Sequence, residues 1–240
     1  MERSINNHAL RERTRRNISY PYTVFMHIYN EEDHLRYVFD AIERQTVKPL
    51  AVVVVDDGST DGTHDIIHEY GYIHEVLNQK PDLYKPIRRA NAFNHALGLA
   101  KKKNPDAKYY MKVDGDTLVY DSYAEQTIEY MEKNPRYAAV SGVSVRYIKT
   151  RDLNNGAVTY LGKTLPNAKL MYGWDREIQL SLVRMGYKFH VIRTLGYGEM
   201  RRPLVSSPGV INVAKNRSKS RIAEVQGFFN WLFGVKGCRK

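Results

Sequence analysis

Residues 51–63 read Ala51-Val52-Val53-Val54-Val55-Asp56-Asp57-Gly58-Ser59-Thr60-Asp61-Gly62-Thr63. Four successive β-branched residues, Val52 to Val55, carry no polar alternation and predict a strand buried on both faces, as in a parallel sheet covered by helices. The chemistry then changes abruptly to acidic, hydroxylic and glycine residues. Gly58 and Gly62 permit sharp backbone angles, and Thr60 or Asp61 can cap a helix beginning near Thr63. Open α/β sheets bind ligands outside the carboxyl ends of their strands. Asp56 and Asp57, at such an end, therefore mark a candidate binding edge.

Upstream, Tyr22 to Tyr29 (YTVFMHIY) has the make-up of a first strand. Asn30-Glu31-Glu32-Asp33 offers an N-cap and an acidic first turn for a helix over about 33–45, with Leu35, Val38, Phe39 and Ile42 at helical spacing. Downstream, Thr63 to Tyr70 predicts a helix stopped by Gly71. The order β-α-β-α implies parallel strands with right-handed crossovers. A helix opening at Arg88-Arg89 and running to about Lys103, a strand over Lys108 to Val113 and a helix over Asp121 to Lys133 follow. Tyr137 to Tyr147 reads as a strand, Lys188 to Leu195 as a short strand, and 196–203 as a loop.

Bulk properties bound the function. A chain of 240 residues suits one α/β domain with trimmings. No stretch approaches the ~20 apolar residues of a membrane span, and the polar, basic N-terminus lacks the apolar core of a secretory signal. The one cysteine, Cys238, excludes an internal disulfide and a cysteine-built metal site, and a cytoplasmic setting fits. The net charge of +11 admits nucleic acid, anionic lipid or phosphorylated small molecules as partners and does not choose among them. Much of it lies at the termini, and no RNA-module motif appears, so no nucleic-acid partner is expected.

Three segments in order carry a resemblance. Tyr29-Asn30-Glu31-Glu32, the VVVVDDGSTDGT run and Asp114-Gly115-Asp116 together resemble the family 2 glycosyltransferases of the GT-A fold, over roughly Tyr22 to Tyr187. The fold expected is a Rossmann-like α/β domain with a mostly parallel central sheet flanked by helices, spanning 20–210. By this resemblance Asp57 recognises the nucleobase with Asp56 supporting it, and Tyr29 and Glu31 belong to the donor site. Asp114 lies near the ribose or metal, and Asp116 binds Mn²⁺ or Mg²⁺, a hard cation that takes carboxylate and phosphate oxygens. Arg88 to Leu97 looks like the family's donor-side helix, with Arg89 in place of a lysine and Asn94 retained. A guanidinium beside a helix N-terminus suits a diphosphate; the alternative is surface charge. Gly173-Trp174-Asp175 with Gly186-Tyr187 resembles the segment that supplies the catalytic base, which makes Asp175 the candidate, a helix cap its bland reading, and Glu177 the fallback. His27 can lie near the base or serve the core.

The implied reaction moves a sugar, with inversion, from a UDP- or GDP-linked donor to an acceptor hydroxyl on a glycan, a lipid-linked or another molecule. Residues 1–19 read as a basic mobile arm. Residues 211–240 read as a basic amphipathic segment with Ile222, Val225, Phe228, Phe229, Leu232 and Phe233 at helical spacing. That segment can lie on an anionic membrane surface, making the protein peripheral, or pack on the domain or a partner copy. The rival from another class is a non-catalytic GT-A-like domain serving as a membrane-surface or nucleic-acid binding partner. A nucleotidylyltransferase would need a glycine-rich N-terminal loop that is absent.

Overall fold

The computed structural model describes residues 20–77, 79, 85–144, 156–167 and 174–200. The expected basic arm, the amphipathic segment 211–240 and the end, 201–203, of the stretch read as a loop lie outside the described residues.

One eight-stranded sheet organises the described residues. Its strands are β1 (Tyr22–Ile28), β2 (Ala51–Asp56), β3 (Ile73–Val76), β4 (Tyr109–Val113), β5 (Thr117–Val119), β6 (Tyr137–Ser144), β7 (Ala157–Leu161) and β8 (Lys188–Glu199), in spatial order β3-β2-β1-β4-β7-β6-β8-β5. The block β3-β2-β1-β4 is parallel throughout, and β6 pairs in parallel with β8; β7 and β5 run against their neighbours. This is the mostly parallel α/β sheet, flanked by helices, that the sequence resemblance implies.

Among the described residues, five α-helices cover both faces. On one lie α1 (Leu35–Glu43), α2 (Thr63–Tyr70) and α4 (Tyr123–Lys133), packed on Val24, Met26, Val52 and Val54. On the other lie α3 (Lys85–Lys103) and α5 (Trp174–Arg184), packed on Phe25, Val53 and Val55. The four valines thus divide between two cores, which is why the segment needs no polar alternation. Tyr123 ties α4 into the sheet: its hydroxyl donates to the Ala157 carbonyl at 2.6 Å and accepts from the Gly142 amide at 2.8 Å.

Several expected boundaries move. Helix α2 is as read, ended by Gly71 at φ 65°, where a side chain would be strained. Helix α1 begins at Leu35, with no acidic residue in its first turn and no side-chain cap, because Asn30 to Glu32 are drawn into the loop after β2 instead. The cap expected from Thr60 or Asp61 is displaced to Gly62, although Asp61 Oδ1 still accepts the Thr63 amide at 3.1 Å. Helix α3 opens at Lys85, so Arg89 sits in its second turn and not at its N-terminus. Strand β8 runs through the stretch read as a loop, to Glu199.

Candidate donor site at the carboxyl ends of β1, β2 and β4

Strand alternation sends the two neighbouring aspartates to opposite sides of the sheet. Asp56 faces α2: its Oδ1 accepts the Ser59 amide at 2.9 Å and the Ser59 hydroxyl at 2.6 Å, and its Oδ2 lies 3.8 Å from His64 Nδ1. Asp57 faces α3: its Oδ1 accepts from Gln79 Nε2 at 2.7 Å, and its Oδ2 pairs with Arg88 Nη2 at 3.1 Å. The same Arg88 nitrogen donates to the Asp57 carbonyl at 2.9 Å, and the guanidinium lies 5.0 Å from the centre of the Tyr29 ring. Burial pushes the Asp57 carboxyl upward, against the opposing pull of Gln79 and Arg88. Asp56 shapes the loop, and Asp57 presents a carboxylate that Arg88 orients.

The loop after β1 is laced to this one. Asn30 adopts φ 52°, a left-handed conformation that asparagine tolerates, and its Oδ1 accepts the Thr60 amide at 2.8 Å. Its own amide donates to Ser59 Oγ at 2.9 Å, and the Glu31 amide donates to Thr63 Oγ1 at 2.8 Å. The Glu31 side chain then reaches the third loop. A Cβ on Gly115 would lie 2.7 Å from Glu31 Cγ and 3.1 Å from Ile28 Cγ2, so only glycine lets the turn 114–116 approach.

That turn follows β4. Asp116 is 4% exposed, and its carbonyl accepts the Met200 amide at 2.9 Å, closing the end of β8 onto it. Asp114 Oδ1 pairs at 2.5 Å with the ammonium of Lys112, a residue only 2% exposed. Sequence reading missed both Lys112 and the role of Arg88. The signal for Lys112 was its parity with Tyr110 on a strand buried on both faces, and for Arg88 the need for a cation opposite a buried aspartate.

Of the other candidates, Tyr29 is 46% exposed at the mouth of the cluster, and Arg89 is exposed beside it. Asn94 is half-buried, about 9 Å further along the axis of α3 than Arg88. Only the backbone of Asp175 is described, in the first turn of α5. This helix leads into the amino end of β8, so its first turn points back toward the carboxyl-end edge. The structure thus joins Tyr29, Glu31, Asp56, Asp57, Asp114 and Asp116 in one rim, with Arg89 beside it and Asn94 set below. The carboxylate oxygens of Asp116 and its neighbours are the donors a hard divalent cation takes.

His27 projects toward α3, with its ring 6.0 Å from that of Phe93. Its Nδ1 is buried although part of the residue stays accessible. Desolvation first, then the charges of Lys112 and Arg89, hold its pKa down to about 3 from an ordinary 6.5. It therefore belongs to the core beneath the site. The folded state binds fewer protons than the unfolded one across that window, so stability is full above about 6.5 and falls as pH drops toward about 3. The slope reaches ~1.4 kcal/mol per pH unit. Urea midpoints at neutral and mildly acidic pH should show this loss in the wild type and a flatter dependence in His27→Gln; equal dependence in both would mean the ring is not held neutral.

Comparison with known proteins agrees with the geometry. The chain is 29% identical over 114 residues to a poly-beta-1,6-N-acetyl-D-glucosamine synthase of Staphylococcus epidermidis, covering 48% of this chain and 26% of that protein. It is 34% identical over 104 residues to glycosyltransferase GlyA of Streptococcus pneumoniae, covering 43% and 14%. The match spans 26% and 14% of these two curated relatives' own length. Among solved structures, the mannosyltransferase PcManGT of Pyrobaculum calidifontis, in complex with GDP-Man and Mn²⁺, superposes with TM-score 0.66 at 17% identity over 91% of this chain and 65% of that one. Glucosyl-3-phosphoglycerate synthase of Mycobacterium tuberculosis, in complex with Mn²⁺, UDP and phosphoglyceric acid, superposes with TM-score 0.59 at 15% identity, covering 77% and 72%. At these identities the structures share the fold. The family model described as glycosyl transferase family 2 matches residues 23–186, well over half of the sequence and spanning all three loops of the rim, and the chain belongs to that family.

Proposed function

We propose that the chain transfers a sugar from a nucleoside diphosphate sugar to an acceptor hydroxyl, with inversion at the anomeric carbon. The observation that carries this reading is the oriented Asp57 carboxylate on one side of the rim and the glycine-tightened Asp114-Gly115-Asp116 turn on the other, braced together by Glu31.

Each Asp57 oxygen accepts one hydrogen bond already and keeps a second lone pair for an N–H of the nucleobase. Tyr29, held under the Arg88 guanidinium, offers a ring face for the base to stack on. Asp116, with Asp114 beside it, would hold Mn²⁺ or Mg²⁺, which supplies Lewis-acid stabilisation of the departing diphosphate. With Arg88 engaged by Asp57, the exposed Arg89 is, among the described residues of the rim, the guanidinium that would meet the diphosphate. Asp175 takes the proton of the attacking hydroxyl, so one displacement suffices and no covalent sugar intermediate forms. A lipid-linked acceptor would suit the basic amphipathic segment 211–240, which then serves as a peripheral membrane contact.

The test is thermal stabilisation by UDP, GDP and their sugar conjugates, with and without Mn²⁺, on the wild type and on Asp116→Ala. A ligand at ~100 times its dissociation constant adds roughly 2.7 kcal/mol to the folded state. One nucleotide should stabilise the wild type in a Mn²⁺-dependent way and lose that dependence in the variant. No response to any nucleotide would overturn the reading and leave the non-catalytic one.

A further inference from the structure

Away from the donor rim, three histidines converge where α2 meets the edge strand β3. His64 and His68 stand one turn apart on the same face of α2, and His74 comes from β3. Their candidate ligand nitrogens all lie within 4.8 Å of one another, with His64 Nε2 and His68 Nε2 3.1 Å apart. The ring centres are 4.6 Å apart for His64 and His68, 4.4 Å for His68 and His74, and 5.7 Å for His64 and His74. We propose that His64, His68 and His74 form a second metal site, specific for a borderline-soft divalent cation of the Zn²⁺ class and separate from the carboxylate site at Asp116.

Three features carry this beyond mere proximity. The first is spacing: three nitrogens on a tetrahedral Zn²⁺, each at ~2.0–2.1 Å, stand about 3.3 Å apart. One pair is already there, and small side-chain rotations bring in the third. The second is orientation by outer partners. His74 Nδ1 lies 3.3 Å from the Tyr72 carbonyl, which as an acceptor fixes the proton on Nδ1 and leaves Nε2 as the lone-pair nitrogen. His64 turns Nδ1 toward the Asp56 carboxylate at 3.8 Å and Nε2 toward His68. A carbonyl and a carboxylate behind two of the imidazoles are the outer-sphere partners that metal-bound histidines use. The third is access: His68 is exposed and the His64 side chain is 43% exposed, so a cation can enter from solvent and keep a water in the fourth position.

Donor chemistry separates the two sites. Imidazole nitrogens favour Zn²⁺, Cu²⁺ or Ni²⁺, whereas carboxylate and phosphate oxygens favour Mg²⁺ and Mn²⁺. A cation here would pin α2 to β3. Through His64 it would also act on Asp56, whose other oxygen holds the Ser59 corner of the rim.

Zn²⁺ alone, without nucleotide, is titrated into the EDTA-stripped full chain by calorimetry, with Co²⁺ absorption reporting coordination geometry. The wild type should take one saturable equivalent and give the intense visible bands of tetrahedral Co²⁺. Binding should survive in Asp116→Ala and weaken ~100-fold or more in both His68→Ala and His74→Ala, since even outer-sphere partners cost 10- to 100-fold. His68 is exposed on α2, so its removal leaves the fold intact, and thermal melts verify that. Binding that persists in both histidine variants, binding lost in Asp116→Ala, or no saturable binding in the wild type would each overturn the site.

Discussion

Asp175→Asn should lower kcat by ~10²- to 10⁴-fold, the range of a lost general base, while leaving nucleotide affinity and the melting temperature near those of the wild type. The substitution separates the two roles open to this residue. Asparagine caps a helix about as well as aspartate, so a residue that merely starts α5 would lose little by the change. As a base it would lose nearly everything, because an amide cannot take the proton of an attacking hydroxyl. Helix α5 is anchored by Ile178 and Leu182 in the core against the sheet, so its first turn is rigidly backed. Glu177, half-buried in the same helix, provides the internal control. If Glu177→Gln carries the large kcat loss and Asp175→Asn does not, the base is Glu177. Single-turnover rates with a saturating donor are the measurement, since they isolate chemistry from product release.

How far the sequence foretold the molecule depended on whether a signal was local. Val52 to Val55, the αL glycine at position 71 and the spacing of Leu35, Val38, Phe39 and Ile42 each state their environment within a few residues, and each is found as read. Strand β8 was cut short because Gly196 and Gly198 look like loop residues. Yet a Cβ on Gly196 would stand 2.9 Å from Tyr120 Cε2, so that glycine in a strand serves a ring crossing close above it. Strands β5 and β7 are short and owe their pairing to partners distant in sequence. Within the rim, the carboxylates were legible as a set, but their division was not. Asp56 and Asp57 read as a pair and act on opposite faces, because neither His64 nor Arg88 announces itself as a partner without the sheet between them.

The least legible partner, Lys112, decides how the third loop should be tested. Lys112 lies near the end of β4, in register with Phe25 of β1; its side chain has almost no solvent, and its ammonium pairs with the one-third-exposed carboxylate of Asp114. An ion so placed costs several kcal/mol of lost hydration, offset by its partners, Asp114 among them, and removing a partner of a buried ion typically costs up to ~3–5 kcal/mol. Asp114→Asn should therefore destabilise the protein by ~3 kcal/mol or less, at or below the low end of that range because the amide oxygen still accepts a hydrogen bond and Lys112 keeps its other interactions. Lys112→Met should cost less, since the carboxylate it strands can turn to water. The double variant should recover much of the loss, as a methionine of similar length fills the site without a charge. Urea midpoints of the four proteins give the coupling, and additive losses would mean that the pair is not what holds the loop. The same four proteins also resolve what Asp114 does for the donor. A loss of nucleotide binding in Asp114→Asn alone mixes a missing contact with a disturbed loop. If the double variant regains stability and still fails to bind, the carboxylate itself meets the donor or its cation; if binding returns with stability, Asp114 serves the site by neutralising Lys112.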